Sequence, residues 1–259
     1  MRFSIITPSL NQARFIRDCL ASVGAQQGEG IEIEHLVLDA CSRDDTVEIL
    51  RKTNTVLWIS EPDAGQTDAI NKGFRRATGD WLMWLNADDY LLPGALEKIR
   101  DYALAHPMAD VIYGDCIFVD EVGRTMREKR EGGFDFNMLL FYGCYIPSTA
   151  TFFRRDLIDR GLFLDPKFRN CMDTDYFLRL ALAGARFEHL PELLAAFRWH
   201  DSNISTKFAE RRKSERLQIQ RRTLKTNGLG WLGHPVFLNP LFRLYQAKRN
   251  VRRAFGLTP

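Results

Sequence analysis

The chain has 259 residues, 45% of them hydrophobic and 27% charged, which allows a substantial buried core and excludes the composition of a disordered chain. Its five cysteines are scattered, with no C-x-x-C pair, so neither a disulfide framework nor a structural zinc module is expected. The net charge of +3 conceals a division, since from Lys207 onward 13 Lys/Arg face only Glu210 and Glu215, leaving residues 1–206 at −8.

Residues 2–7 predict a first strand, whose ladder Pro8 is expected to interrupt. Ser9 and Gln12 match a capping box ahead of a helix with Phe15, Ile16, Cys19, Leu20 and Val23 on its apolar face. The strand–loop–helix unit recurs as a strand at 32–39, a helix at 44–53, a strand at 55–60, a helix at 66–77 and a buried strand at 80–85. Pro93 suits the first position of a helix running to 105, which His106-Pro107 would end. Beyond it the rhythm changes to a hairpin at 110–119 and 124–129, a strand at 149–154, a helix at 173–184 and a strand at 192–199. Helices within 205–226 and 239–255 close the chain. The alternation predicts an α/β fold with right-handed crossovers and a mainly parallel central sheet flanked by helices. Ligands of such sheets lie beyond the carboxyl ends of the strands. The opening MRFSIITPSL turns polar too soon for a signal peptide, and no apolar stretch approaches the roughly 20 residues that span a bilayer. A cytoplasmic protein is expected.

Three expected strands end in polar loops, Thr7-Pro8-Ser9, Asp39-Ala40-Cys41-Ser42 and Asn86-Ala87-Asp88-Asp89. Adjacent carboxylates repel, and a divalent cation offsets that cost, although an acidic pair is equally a solvated turn. Asp173 and Asp175 form a second acidic cluster, where spacing alone favours helix capping over chemistry. His200 follows an apolar-aromatic strand. No phosphate-binding G-x-x-x-x-G-K-[ST], no G-x-S-x-G elbow and no G-x-G-x-x-G after the first strand is present, which removes kinase, hydrolase and Rossmann dehydrogenase readings.

The segments SIITPSLNQARFIRDCLASV, LDACSRDDT and SEPDAGQTDAINKGFRRATGDWLMWLNADD, followed by CMDTDYFLRLALAGARF and FRWHDSNIS, resemble the family 2 inverting glycosyltransferases with the GT-A fold. The resemblance implies a catalytic domain over 1–206, with a nucleotide-sugar-binding half (1–109) and an acceptor half (110–206), and a basic helical extension over 207–259. It implies that Thr7, Pro8 and Ser9 line the donor-base pocket and that Asp39 accepts a hydrogen bond from the base. Asp88 would face the ribose or metal, and Asp89 would be the main ligand of Mn²⁺ or Mg²⁺ on the donor diphosphate, with His200 approaching the metal or the diphosphate. Many relatives carry an Arg where Ile70 stands, so Lys72 is expected to supply that positive charge, with Gln66 and Asp68 also turned to the donor. Asp173 would be the general base. The implied partners are a nucleotide-diphosphate sugar and a glycan or lipid-linked acceptor, in the setting of bacterial surface-polysaccharide assembly. A sugar-phosphate nucleotidyltransferase and a non-catalytic sugar or lipid binding protein are the alternatives. The tail fits an anionic membrane surface at the inner face of the cell membrane, or a solvated helix packed on the body, better than nucleic acid, which the acidic body would repel. It is expected to be dispensable for chemistry on a soluble acceptor.

Overall fold

The computed structural model describes residues 1–201 and 209–254. Lys207, Phe255 and residues 202–205 of the FRWHDSNIS segment lie outside the described residues. The first half alternates β1 (Arg2–Ser9), α1 (Ile16–Gly24), β2 (Glu32–Asp39), α2 (Thr46–Arg51), β3 (Leu57–Ser60), α3 (Gln66–Arg76) and β4 (Trp81–Trp84). These strands pair in parallel in the order β3-β2-β1-β4. There follow β5 (Tyr90–Leu91), α4 (Ala95–Ala105), β6 (Val111–Val119), β7 (Thr125–Lys129), α5 (Phe136–Phe141), β8 (Thr151–Arg154), α6 (Arg155–Asp159), α7 (Met172–Leu182) and β9 (Phe187–Arg198). In this second half, among the described residues, only β6 and β9 run parallel, while β8 is antiparallel to β4 and β6, β5 to β9 and β7 to β6. Helices α8 (Ala209–Thr226) and α9 (Pro235–Ala254) complete the described chain.

Pro8 does not interrupt β1, which continues to Ser9. The Ile6 carbonyl accepts from Leu85 N on the β4 side and the Ser9 carbonyl from Ala40 N on the β2 side. Pro8 therefore faces β4, whose last paired residue is Trp84, opposite Ile6. The missing N–H falls where no ladder partner remains. Ser9 stays in the strand, so the expected capping box does not form. Instead α1 starts at Ile16 without a side-chain cap. The helix expected from Pro93 begins at Ala95, after Gly94 in the left-handed region. The two-residue β5 is too short to leave a periodic signal, and β9 begins five residues earlier than its apolar run suggests.

Period-two alternation divides the core between the sheet's two faces. Phe3, Ile5 and Met83 pack with Cys19 and Val23 of α1 and Leu96 and Ile99 of α4. Ile6, Leu82 and Trp84 pack on the other face with Ile70 and Phe74 of α3 and Tyr176 and Phe177 of α7. Ile219 and Leu224 of α8 and Leu238 of α9 belong to that same cluster. The basic extension thus shares the body's core.

Gly73 on α3 lies against β1 and β2, where a Cβ would run into Ile6 Cγ2 and sit 3.1 Å from Leu38 Cδ2. Alanine would gain about 1 kcal/mol of helix propensity at an open position, but overpacking a rigid core costs about 1–3 kcal/mol. Gly73→Ala is expected to be net destabilising by about 1 kcal/mol, the middle of that difference, in urea unfolding. An unchanged or raised midpoint would show that β1 yields.

Candidate active site

The turn after β4 is fixed from behind. Asp89 is buried, its Oδ1 accepting from Arg198 N at 2.9 Å and its Oδ2 from Asn86 Nδ2 at 3.1 Å. Burial, and then the neighbouring Asp88, push its carboxyl well above the usual carboxylate range. Asn86 in turn accepts from Gln66 Nε2 at 2.6 Å, so its amide donates to one neighbour and accepts from the other, as a carboxylate could not. The guanidinium of Arg198, itself buried, donates to the Asp88 carbonyl, the Glu121 carbonyl and Asp18 Oδ2 at 3.0, 2.8 and 2.6 Å. Two residues beyond Arg198, His200 Nε2 comes within 2.9 Å of Asp88 Oδ2, and its ring lies over Phe15 at 4.8 Å.

The loops after β1 and β2 are stitched together. Asn11 N donates to Ser42 Oγ, Gln12 N to Thr46 Oγ1 and Ala13 N to Asp44 Oδ2, at 2.7, 2.9 and 3.0 Å. Gln12 is thereby committed to α2 rather than to a cap of α1. Beside these loops opens a cleft of about 590 Å³. Pro8, Ser9, Gln66, Asn86, Asp88 and His200 line it from the first-half loops and the end of β9, and Arg169, Asn170, Met172 and Asp173 line it from the start of α7. The hydroxyl of Ser9 and Asn170 Oδ1 are buried without a hydrogen-bond partner, an unusual state for groups that cost free energy when unpaired.

Several expected donor residues do not reach the cleft. Thr7 is fully buried, its hydroxyl 2.9 Å from His35 Nε2. Asp39 is buried behind the cleft wall, where it accepts from Ser42 N, Ser42 Oγ and Ser60 Oγ and shapes the loop that presents Ala40. Lys72 turns to the Pro62 carbonyl, Glu61 and Asp68, at 2.8, 3.3 and 3.4 Å, so Lys72 and Asp68 neutralise each other outside the cleft. Arg169 is the cation among the described cleft-lining residues. Nor does Asp89 line the cleft as a leading metal ligand would, because both its oxygens are turned inward. Asp88 faces the opening instead.

Asp173 sits in the first turn of α7 and reaches the cleft edge. Its Oδ1 accepts from Thr174 N at 2.6 Å. Burial raises its carboxyl above the ordinary carboxylate value, against the lowering hydrogen bonds from Thr174 and the Cys144 thiol. Asp175 is fully buried on the opposite side of the turn, paired with Arg179 and with Arg222 of α8.

A family model described as glycosyl transferase family 2 matches residues 4–162. The chain belongs to that family. A PGL/p-HBAD biosynthesis glycosyltransferase of Mycobacterium bovis BCG is 32% identical over 183 residues, covering 68% of each chain. An uncharacterized glycosyltransferase of Nostoc is 27% identical over 217 residues, 78% of this chain and 66% of that one. In fold the glycosyltransferase is similar to S. aureus TarS 1-349 in complex with UDP-GlcNAc, with a TM-score of 0.67 and 18% identity, covering 95% of this chain and 79% of that 1-349 chain. It is also similar to the mannosyltransferase PcManGT of Pyrobaculum calidifontis in complex with GDP-Man and Mn²⁺, at a TM-score of 0.59 and 14% identity, covering 98% and 87%. The fold is the GT-A fold that the sequence implied, and family membership sets aside the nucleotidyltransferase and non-catalytic alternatives.

The glycosyltransferase's α8 reaches into this site. Glu215 Oε2 accepts from Arg169 N, Asn170 N and Cys171 N at 3.1, 2.8 and 3.1 Å, holding the segment that leads into Asp173. The extension is therefore tied to the segment that lines the cleft before Asp173. Sequence reasoning missed Glu215, Arg169 and Asn170. The only signal was an isolated acid in a basic helix and the polar Arg-Asn pair just before Met172-Asp173. Removing Glu215 would leave three amides without their charged acceptor. Glu215→Ala is expected to lower stability by about 2–3 kcal/mol, as such charge-assisted bonds are individually strong, read as a fall in urea midpoint. A loss below about 0.5 kcal/mol, the scale of ordinary surface changes, would mean that α8 does not support the turn.

Proposed function

We propose that this glycosyltransferase moves a sugar from a nucleoside-diphosphate sugar to a hydroxyl of a glycan or lipid-linked acceptor, with inversion at the anomeric carbon, and that Asp173 is the general base. The observation that carries this reading is that Asp173 from α7 and the Asp88–His200 pair from the two chain halves line one cleft. The acceptor hydroxyl gives its proton to Asp173 as its oxygen bonds to the anomeric carbon. The bond to the diphosphate breaks on the opposite face, and the electron pair leaves with the nucleoside diphosphate. A raised carboxyl suits this task because it is a stronger base than an exposed Asp. Asp175, enclosed by Arg179 and Arg222, supports the helix instead.

Asp88 and His200 offer one oxygen and one nitrogen, and no group of three or more His, Cys, Asp or Glu able to hold a metal occurs among the described residues. That donor set fits a Mn²⁺ or Mg²⁺ ion that completes its shell with water and substrate phosphates. Bound there, the ion would offset the charge developing on the departing diphosphate. On this reading Asp88 and His200 are the ligands, and Asp89 is their support. Ser9 and Asn170, each with an unpaired polar atom at the cleft, are the donor contacts we favour, with Gln66 beside them. Arg169 places a positive charge at the rim, where a diphosphate gains from it.

The proposal is tested by transfer assays with UDP-, GDP- and dTDP-sugars in Mn²⁺ or Mg²⁺. Asp173→Asn is expected to bind nucleoside diphosphate as the parent does and to lose roughly 10²-fold or more in kcat, with product of inverted configuration by NMR in the parent reaction. Near-parental transfer by Asp173→Asn, or a retained configuration, would overturn the assignment. Because the base must be ionised, kcat should fall as pH drops through a value above the ordinary Asp pKa of about 3.9. A profile flat to below that value would contradict the role.

A further inference from the structure

Helix α9 has two apolar faces, and only one is used by the fold. On the inner face Leu238 is buried, Tyr245 stacks on Phe141 and Phe242 on Tyr142, Arg249 pairs with Glu131, and Lys248 with Asp135. On the outer face Phe237, Leu244 and Val251 recur every seven residues with Pro240 and Ala247 between them, and all five are exposed. Leu244 is 60% and Val251 50% exposed. Trp231, 63% exposed, stands at the head of this stripe with its ring edge-on to Phe237 at 5.3 Å. On this 20-residue helix the stripe from Phe237 to Val251 runs roughly 21 Å.

The charges around the stripe are of one sign. Residues 209–254 hold 12 Lys/Arg against two Glu. Arg243 is exposed beside the stripe, and Lys213 and Lys225 are exposed on α8. We propose that this outer face of α9 rests on an anionic bilayer surface, with Trp231, Phe237, Leu244 and Val251 in the boundary between headgroups and acyl chains and the basic side chains on the headgroups. A stripe of this width with cationic flanks and a tryptophan at one end is what an interfacial helix requires. No helix among the described residues is long and apolar enough to cross the bilayer, so contact is with one leaflet. A second copy of the chain is the poorer occupant, because a two-fold contact through this face would bring two strongly basic extensions together. Surface binding of this kind would hold the cleft near an acceptor carried on a lipid, but the binding itself does not depend on the reaction assigned above.

The test is co-sedimentation of the full chain with vesicles of phosphatidylcholine alone, or with one third phosphatidylglycerol, in low and high salt. Binding to the anionic vesicles, weakened several-fold by salt and about tenfold or more by Leu244→Glu with Val251→Glu, is expected. Arg243→Glu with Lys225→Glu should also weaken it by tenfold or more, since each basic side chain near the surface contributes about fivefold. All variants should keep the parent's unfolding midpoint and nucleoside-diphosphate binding, which separates failure of this inference from failure of the proposed reaction. No binding to anionic vesicles, binding indifferent to both pairs of substitutions, or a concentration-dependent dimer abolished by Leu244→Glu with Val251→Glu would overturn it.

Discussion

A buried carboxylate joins the two halves of this glycosyltransferase. Asp89 ends the first-half sheet's last loop and accepts the Arg198 backbone N–H at the end of β9, so the position of His200 follows from that of Asp88. The guanidinium of Arg198 closes the joint by donating to the Asp88 carbonyl. An ionisable group with both oxygens engaged and hardly any exposure is costly unless every bond is made. The turn therefore has one geometry rather than several. Asp88 inherits that geometry while its own carboxylate faces the cleft, and this division between a supporting acid and a presented acid explains why two carboxylates stand side by side.

The second acidic cluster repeats the same division. Asp175 is enclosed by Arg179 and Arg222, and its neighbour Asp173 is the one at the cleft edge. Here the support comes from the basic extension. Glu215 gathers the three amides before α7, and Ile219 and Leu224 of the same helix enter the core beside Tyr176 and Phe177. Part of the extension's positive charge is spent on Asp165, Asp175, Asp135 and Glu131 of the acidic body. The charge asymmetry along the chain is thus partly an internal attraction, and its exposed remainder lies on α8 and on the outer side of α9.

Much of the fold was legible because strong local signals agree with the global arrangement. β1, β2 and β4 are apolar runs ending in polar loops, and α3 and α7 carry regular buried faces. The family could be named from the ordered segments spanning Ser4 to Ser205. What was not legible depends on pairing across the chain. β5 has two residues and exists because β9 passes beside it. The Ser9–Gln12 capping pattern was overridden because Ser9 is held in the β1 ladder and Gln12 N goes to Thr46, 34 residues away. The site residues divide the same way. Asp88, His200, Pro8, Ser9, Gln66 and Asp173 reach the cleft, whereas Thr7 and Asp39 are held by His35 and Ser60 across the chain, and Asp68 and Lys72 pair with each other one helical turn apart. Which member of Asp88-Asp89 faces out is decided by Arg198, 109 residues after Asp89.

We propose that Asp88, with His200, is the acid presented to a cation and that Asp89 is its buried support. Electron paramagnetic resonance of Mn²⁺ titrated into the protein with UDP, GDP or dTDP, comparing Asp88→Ala with Asp89→Ala, reads this directly. The structure predicts that Asp88→Ala folds with the parent's stability and loses nucleotide-dependent Mn²⁺ binding. Asp89→Ala should instead lose about 2–4 kcal/mol of stability by leaving the Arg198 and Asn86 donors buried and unpaired. Undiminished Mn²⁺ binding by Asp88→Ala, together with a fully stable Asp89→Ala that binds none, would contradict the account.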